Sequence, residues 1–225
     1  MDGLSINKLR ELEALAKKIG LEERILIENA SSNLFKVIDS LGLGKRALVI
    51  SGRGNNGADV LSCARKLVSN GYDVVIAVLE DKELGAETIF QRDLLAKIGC
   101  RIRSITSSNT FKLKKLFGDR DFILEGILGI GVKGEVSPFL REVIDLVNES
   151  GRKVVSCDIP SGLSPDQGVI LGSAIRADYT ITFIAAKRGF FLNPGKDLCG
   201  KVLVVDIGIS EEILQTLAKA EAEGE

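Results

Sequence analysis

Six short runs rich in valine, isoleucine and leucine constrain the fold most strongly. They are ALVIS, DVVIAVL, DFILEGIL, KVVSCDI, YTITFIA and KVLVVDIG. Strands this uniformly apolar are buried on both faces, as a parallel sheet with helices on each side requires. Helical spacing between the runs predicts helices over residues 58–69, 83–98, 111–117 and 139–149. The sequence therefore predicts a doubly wound α/β fold with a mostly parallel sheet.

Two amphipathic segments precede the first apolar run. Apolar residues recur at spacings of three and four over residues 4–19, where Gly20 ends the pattern, and again over 22–40. We expect one domain of residues 1–225, comprising a helical arm over 1–42, an α/β core over 45–209 and a C-terminal helix or tail over 210–225.

The composition excludes several classes of function. The chain has no histidine, which removes Ser-His-Asp triads, Cys-His dyads and histidine-ligated zinc. Its 30 basic and 31 acidic residues nearly cancel, which disfavours nucleic-acid binding by bulk electrostatics. The four cysteines lie far apart in or beside apolar segments, so we expect buried thiols. Since neither a secretory signal nor a membrane-length apolar run is evident, we expect a cytoplasmic protein without a membrane partner.

The loops that follow the predicted strands are unusually polar and rich in glycine. Open parallel sheets bind ligands beyond the carboxyl ends of their strands. The first loop, GRGNNGAD, runs into a helix whose N-terminus favours an anion such as phosphate. Alternatively, it is a tight turn in which Asp59 caps the helix. The adjacent amides of Asn55 and Asn56 favour a ligand, although the spacing matches neither GxGxxG nor a Walker A motif.

Three further loops contain charged residues that could bind a ligand or take part in catalysis. LGIGVKGEV contains Lys133, and DIPSGLSPDQG begins with Asp158 at the end of a buried strand. We interpret the Asp158 carboxylate as facing the crevice, the alternative being a carboxylate that caps a turn. AAKRGFFLNPG contains Lys187, which could reach the same crevice, although an isolated lysine is more often a solvated surface charge.

In their order, GRGNNGAD, LGIGVKGE, CDIPSGLSPDQGVILGSAIRADYTITFIAAKRGF and GKVLVVDIGI resemble the YjeF N-terminal domain family, the NAD(P)H-hydrate epimerases. The upstream LIENASSNL is similar to that family's Met-Glu-Asn-Ala-Gly helix. The resemblance implies a Rossmann-like three-layer α/β/α sandwich that interconverts the R and S epimers of hydrated NADH and NADPH. It also implies a homodimer, for which the helix over residues 4–19 could supply a surface or instead fold back on its own sheet.

The resemblance assigns site residues by position. Substrate-binding residues fall on the two glycine-rich loops and the strand-end aspartate: Asn55, Asn56, Gly57, Ala58, Asp59, Gly129, Ile130, Gly131, Val132, Lys133, Gly134, Glu135 and Asp158. We interpret Asp158 as the catalytic proton donor or acceptor and charge partner of the ring. Lys133 would help to hold phosphate or water. The resemblance also implies one potassium ion per subunit, with oxygen ligands from Asn56, Glu125 and Ser161.

Some positions depart from the family pattern. Ala58 replaces a glycine, and Glu125 replaces an aspartate, which extends the carboxylate by about 1.5 Å. Some members of the fold are non-catalytic scaffolds that dimerise or contact RNA, and this alternative stays open. The polar loop tips and scarce aromatic residues favour the enzyme. Its functional partner would be an ADP- or ATP-dependent NAD(P)H-hydrate dehydratase, on a separate chain or in a longer bifunctional protein.

Overall fold

Parallel strands form the centre of the molecule, as the apolar runs predict. The computed structural model describes residues 3–132 and 134–224. Within them, seven strands pair in parallel in the order β3-β2-β1-β4-β5-β6-β7. The strands are β1 (Arg46–Ser51), β2 (Asp73–Leu79), β3 (Arg101–Ile105), β4 (Phe122–Gly126), β5 (Lys153–Cys157), β6 (Tyr179–Phe183) and β7 (Lys201–Val205).

Helices cover both faces of this sheet. They are α1 (Ile6–Lys18), α2 (Glu23–Leu41), α3 (Asn55–Ser69), α4 (Ala86–Lys97), α5 (Phe111–Lys114), α6 (Pro138–Asn148), α7 (Gly195–Leu198) and α8 (Glu211–Gly224), with a 3₁₀ turn at Arg188–Phe191. Apolar residues of α1 to α4 and α8 share one buried cluster, and those of α5 and α6 share another. Alternate residues of the central strands point to each cluster, which confirms the predicted α/β sandwich.

The strand order places a crevice at a defined point. From β1 the chain builds outward to β3, and then returns to the other side of β1 to form β4. Because the loops after β1 and β4 diverge to opposite sides at this reversal, the carboxyl ends of these neighbouring strands leave room for a ligand. The fold therefore predicts a ligand site between the loops that begin at Gly52 and Ile127.

Several elements differ from the predictions; for example, α5 ends at Lys114 and not at residue 117, and α7 was not predicted. We did not predict β3, whose sequence RIRSI is mostly exposed and lacks an apolar run because it lies at the sheet edge. Helix α3 begins at Asn55, three residues before the predicted start, because Gly54 serves as its N-cap. Ala58 therefore lies inside the helix, where its methyl group is compatible with the backbone.

The N-terminal arm folds back onto its own chain. Leu9, Leu12 and Ala16 of α1 are buried in the same cluster as the sheet. Backbone hydrogen bonds join Leu4 to the residues on either side of Lys187, from Leu4 to Ala186 at 2.9 Å and from Arg188 to Leu4 at 3.0 Å. Of the two alternatives for this helix, the structure shows the intramolecular one. Among the described residues, no helix combines the length and apolar character needed to cross a membrane.

Candidate active site

A cleft of about 770 Å³ lies at the carboxyl edge of the sheet. Residues from the loops after β1, β4 and β5 line it: Asn55, Asn56, Asp59, Gly129, Ile130, Gly131, Val132, Glu135 and Asp158. The three loops singled out from the sequence therefore surround one space. Lys133 lies outside the described residues, and Gly134 is not part of the lining.

The first turn of α3 forms one wall of the cleft. Gly54 caps this helix without a side-chain hydrogen bond, which leaves backbone N–H groups of the first turn available to an anion. Gly57 is buried there, and a Cβ atom at this position would stand 2.1 Å from the carbonyl oxygen of Gly52. Only glycine permits this close approach. The alternative role of Asp59 as helix cap is wrong, since it lies in the second turn.

Asp158 lies on a strained turn at the end of β5. Its backbone has φ 64°, and the Ile159 N–H donates to the Cys157 carbonyl at 2.7 Å. A non-glycine residue in this region costs about 1–3 kcal/mol, and such strain is concentrated at functional sites. The turn directs the carboxylate toward Thr182 and Phe183 of β6, with Oδ1 3.1 Å from the Phe183 backbone nitrogen and 3.3 Å from the Thr182 hydroxyl.

Lys187 is the cationic partner of Asp158. The expectation of a solvated lysine is wrong: this residue is only 2% exposed and its ammonium group donates to Asp158 Oδ1. The ammonium also donates to the Thr182 hydroxyl at 2.6 Å. Burial occurs because the backbone bonds to Leu4 draw this segment under the N-terminal arm. The result is a buried ion pair at the cleft wall.

Two other carboxyl groups that line the cleft interact electrostatically with Asp158, one on α3 and one on α1. Burial raises the pKa of Asp59 well above its usual value, and the charges of Asp158 and Glu13 raise it further. Burial, followed by the charge of Asp158, also raises the pKa of Glu13. Within the described part of the chain, neither carboxyl group accepts a hydrogen bond. Glu23, Asp81 and Glu135 also line the cleft and each has a partner, so Asp59 and Glu13 differ from the other lining carboxyl groups in having no donor among the described residues.

Oxygen donors lie beneath the cleft, where the resemblance implies potassium. Glu125 is fully buried, and its carboxylate accepts hydrogen bonds from the Ser156 hydroxyl at 2.5 Å and the Ser161 hydroxyl at 2.5 Å. Burial raises the pKa of Glu125, and no cationic side chain pairs with it among the described residues. The longer side chain is thus accommodated by the two serines.

Asn56 adjoins the same group. Its amide nitrogen donates to the Leu128 carbonyl at 2.9 Å, and the Ser161 hydroxyl approaches the same carbonyl at 3.2 Å. The Asn56 Oδ1 atom is buried and has no hydrogen-bond partner among the residues that the structure describes. An orphaned buried oxygen beside an unpaired carboxylate fits a hard cation. The donor set combines an amide, a carboxylate and a hydroxyl oxygen, all of them hard ligands that a cation such as potassium accepts.

Sequence reasoning missed the contribution of α1. Arg10, Glu13 and Lys17 line the cleft from this helix, and the Arg10 guanidinium lies 3.5 Å from the Ile130 carbonyl oxygen. Their spacing of three and four places them on one side of a helix. The signal was present, because Glu13 stands four residues after buried Leu9 and so borders the apolar stripe. This spacing alone did not identify Glu13 as a cleft residue, because the sequence does not show which part of the fold the apolar side of α1 packs against.

Comparisons with known proteins agree with this geometry. The family described as YjeF-related protein N-terminus matches residues 23–189. An NAD(P)H-hydrate epimerase of Elusimicrobium minutum is 32% identical over 221 residues, covering 95% of this chain and 99% of the relative. A bifunctional NAD(P)H-hydrate repair enzyme of Thermofilum pendens is 36% identical over 210 residues, and the matched region is 40% of that longer protein.

A solved structure supports the fold. The crystal structure of a yeast protein superimposes with a TM-score of 0.77 at 19% sequence identity, covering 92% of this chain and 87% of the yeast chain. At this identity, the likeness establishes the fold alone. The family match covers most of the chain and includes all three loops of the cleft. This chain belongs to the family of YjeF-related protein N-terminal domains.

Proposed function

We propose that this protein is an NAD(P)H-hydrate epimerase, which interconverts the R and S epimers of hydrated NADH and NADPH. The observation that carries the proposal is the cleft in which the loops after β1, β4 and β5 meet around the Asp158–Lys187 ion pair. The relative from Elusimicrobium minutum, matched over almost its entire length, carries this name.

The substrate requires an acid that assists the leaving hydroxyl, a negative charge near the ring, and donors for the diphosphate. Hydration leaves a hydroxyl on the carbon beside the ring nitrogen, and loss of that hydroxyl produces a cationic iminium ring. The Asp158 carboxylate, fixed by Lys187, supplies negative charge for that ring. The N-terminus of α3 and the glycine-rich loop at Gly129 and Gly131 offer N–H groups to the diphosphate. Lys133 stays a proposed contact to phosphate or water.

We propose Asn56, Glu125 and Ser161 as the potassium ligands. The unpartnered Asn56 Oδ1 and the buried carboxylate of Glu125 support the assignment. When bound, the ion would neutralise Glu125 and hold the loops after β1, β4 and β5 together. Helix α3 and the Ser161 turn would then keep the cleft in one geometry, since each carries one of these side chains.

We also propose the partners that the family implies. The S epimer would pass to an ADP- or ATP-dependent dehydratase, on a separate chain or in a longer bifunctional protein, and relatives named bifunctional NAD(P)H-hydrate repair enzymes support this proposal. A cytoplasmic homodimer is proposed as well, and light scattering after size exclusion tests the oligomeric state. If a dimer forms, α1 contributes little apolar surface to it, because Leu9 and Leu12 are already buried within the chain.

A coupled assay tests the proposed activity. A mixture of R and S hydrates is incubated with an S-specific dehydratase, which leaves the R epimer to its slow spontaneous conversion. Addition of this protein should accelerate consumption of the R epimer. An unchanged rate would refute the epimerase. RNA retention in a filter-binding assay at low salt would instead support the scaffold alternative, although a buried ion pair at a cleft has no evident use in a scaffold.

A further inference from the structure

Two carboxyl groups in the cleft have no partner that explains their burial. Asp59 of α3 is 9% exposed, lines the cleft, and accepts no hydrogen bond from any described residue. Glu13 of α1 is half-buried, lines the same cleft and likewise lacks a donor within the described chain. Burying an unpartnered polar group opposes folding, so such groups are maintained where a ligand completes them.

The charges around these two groups come from α1, α2, α3 and the segments that follow β5 and β6. Asp158 follows β5 and opposes ionisation of both carboxyl groups, while Glu23 of α2 adds to this repulsion. Lys66 favours the ionised form of Asp59, and Lys187 and Lys17 favour that of Glu13. Burial and repulsion prevail, so both acids retain a proton to higher pH than an exposed carboxyl would. A carboxyl group with a raised pKa is a better proton donor for general acid–base catalysis than a fully ionised one.

Epimerisation itself calls for two proton-transferring groups. The hydroxyl leaves from one face of the ring and water adds to the opposite face, so a proton is donated on one side and accepted on the other. A single fixed carboxyl cannot reach both faces of a held ring. Asp158 is occupied by Lys187, Thr182 and Phe183 on Oδ1. Glu23, Asp81 and Glu135 also line the cleft, but each already has a hydrogen-bond or ion-pair partner. Asp59 and Glu13, on two different helices, are the lining carboxyl groups to which the described residues donate no hydrogen bond.

We propose that Asp59 and Glu13 are catalytic residues, each serving one face of the nicotinamide ring. The inference rests on the proposed epimerase function and extends it to α1, which lies outside the region matched by the family. Asp158 then acts as the fixed anion opposite the ring and transfers no proton. The N-terminal arm becomes part of the catalytic apparatus.

The steps balance without any further reactant. In one direction, Asp59 donates its proton to the hydroxyl as the carbon–oxygen bond breaks, and water departs. The lone pair of the ring nitrogen forms the carbon–nitrogen double bond of the iminium. Water then adds to the opposite face, and ionised Glu13 accepts the proton it releases. The reverse reaction uses Glu13 as the donor and Asp59 as the acceptor.

Oxygen exchange in H₂¹⁸O separates the two roles. The wild-type protein should incorporate ¹⁸O into both epimers, measured by chromatography and mass spectrometry after subtraction of the protein-free rate. Asp59→Asn and Glu13→Gln should each slow epimerisation by roughly 10²- to 10⁴-fold, the usual contribution of a positioned acid or base. Each variant should still exchange the hydroxyl of one epimer, through its remaining acid, and the two variants should retain different epimers.

The same experiment can overturn the inference. The inference is wrong if the two variants retain ¹⁸O exchange of the same epimer, of both epimers, or of neither epimer. Any of these results would show that Asp59 and Glu13 do not each serve one face of the nicotinamide ring. Glu11→Gln is the matched control on α1, since Glu11 is exposed and pairs with Lys8 at 3.1 Å. It should behave as wild type, and thermal melting should show all three variants folded. A wild-type protein that neither exchanges nor epimerises would instead refute the proposed function.

Discussion

Carboxyl groups have opposite environments at the two ends of the parallel strands, here called the amino edge and the carboxyl edge of the sheet. At the amino edge, Asp121 accepts the backbone N–H groups of Lys45 and Arg46 at 3.0 and 2.9 Å, and the Arg46 guanidinium at 2.6 Å. These contacts lower the pKa of Asp121 to about 2. At the carboxyl edge, Asp59 has no such donor in the described chain, and burial raises its pKa.

This difference indicates that the carboxyl groups at the two edges have different roles, one in stability and the other in the proposed function. The amino-edge carboxylate satisfies the backbone where β1 begins, and its partners are all within the protein. The carboxyl-edge groups are buried but incompletely satisfied, which is unfavourable for folding unless a ligand supplies the missing contacts. Carboxyl groups thus stabilise one edge of the sheet, and at the other edge we propose that they serve a substrate.

Removing the lysine of the buried pair should have the largest effect on stability. Lys187→Met leaves Asp158 buried without its cation, and breaking such a pair costs about 3–5 kcal/mol. Urea denaturation measures the change. Lys153→Met is the matched control at the amino edge, because its pair with Asp178 is exposed and contributes at most about 1 kcal/mol. Equal losses in the two variants would contradict the contrast between the edges.

Asp59→Asn should make the protein more stable at neutral pH while it slows epimerisation. The folded-state pKa of Asp59 lies above the unfolded value near 3.9, so the folded state binds more protons and stability falls as pH rises from about 4. Removal of the ionisable group should therefore raise the free energy of unfolding at pH 7. Chemical denaturation at pH 5 and pH 7 measures this, and a less stable variant at pH 7 would contradict it.

Asp121→Asn should show the opposite dependence. The folded-state pKa of Asp121 is depressed, so its contribution is present above pH 4 and is lost as pH falls from about 4 toward 2. Wild type should therefore lose stability on acidification through this range, and the variant should lose less. Asp59→Asn and Asp121→Asn should be measured together. If both substitutions change the pH dependence of stability in the same direction, the contrast between the two edges is wrong.

Potassium should stabilise the carboxyl edge. A ligand that binds only the folded state adds about 1.4 kcal/mol at ten times its Kd, or roughly 4 °C in Tm for a chain of this size. We expect a higher Tm in potassium chloride than in choline chloride at equal ionic strength. Glu125→Gln should remove the difference, because Glu125 is the only carboxylate among the proposed ligands. A salt effect that persists in this variant would exclude the assigned site.

Much of the fold could be predicted because it follows from local pattern. Apolar runs such as that of β2 are buried on both faces, so composition alone identifies them. Strand β3 escaped prediction because Arg101 and Arg103 at the sheet edge remain in solvent, where no apolar face is required. The three polar loops were recognisable for a related reason, since glycines and amides at the end of a buried strand contribute little to a core.

The site was only partly predictable because its remaining members depend on tertiary contacts. Lys187 resembles a surface lysine until the backbone bonds to Leu4 show that the arm covers it. Glu13 resembles an ordinary helix residue until α1 is seen to fold over the cleft. In both cases the environment of a charged group is set by a segment distant in sequence, which residue spacing cannot reveal.

The rate of R-epimer consumption by Asp158→Asn, relative to Asp121→Asn, tests the central claim most directly. Both changes replace a carboxylate by an amide, one at each edge of the sheet. In the dehydratase-coupled assay, Asp121→Asn should epimerise at the wild-type rate. Asp158→Asn should be slower by roughly 10²-fold or more, since the iminium ring loses its fixed counter-charge. A normal rate for folded Asp158→Asn would contradict the account.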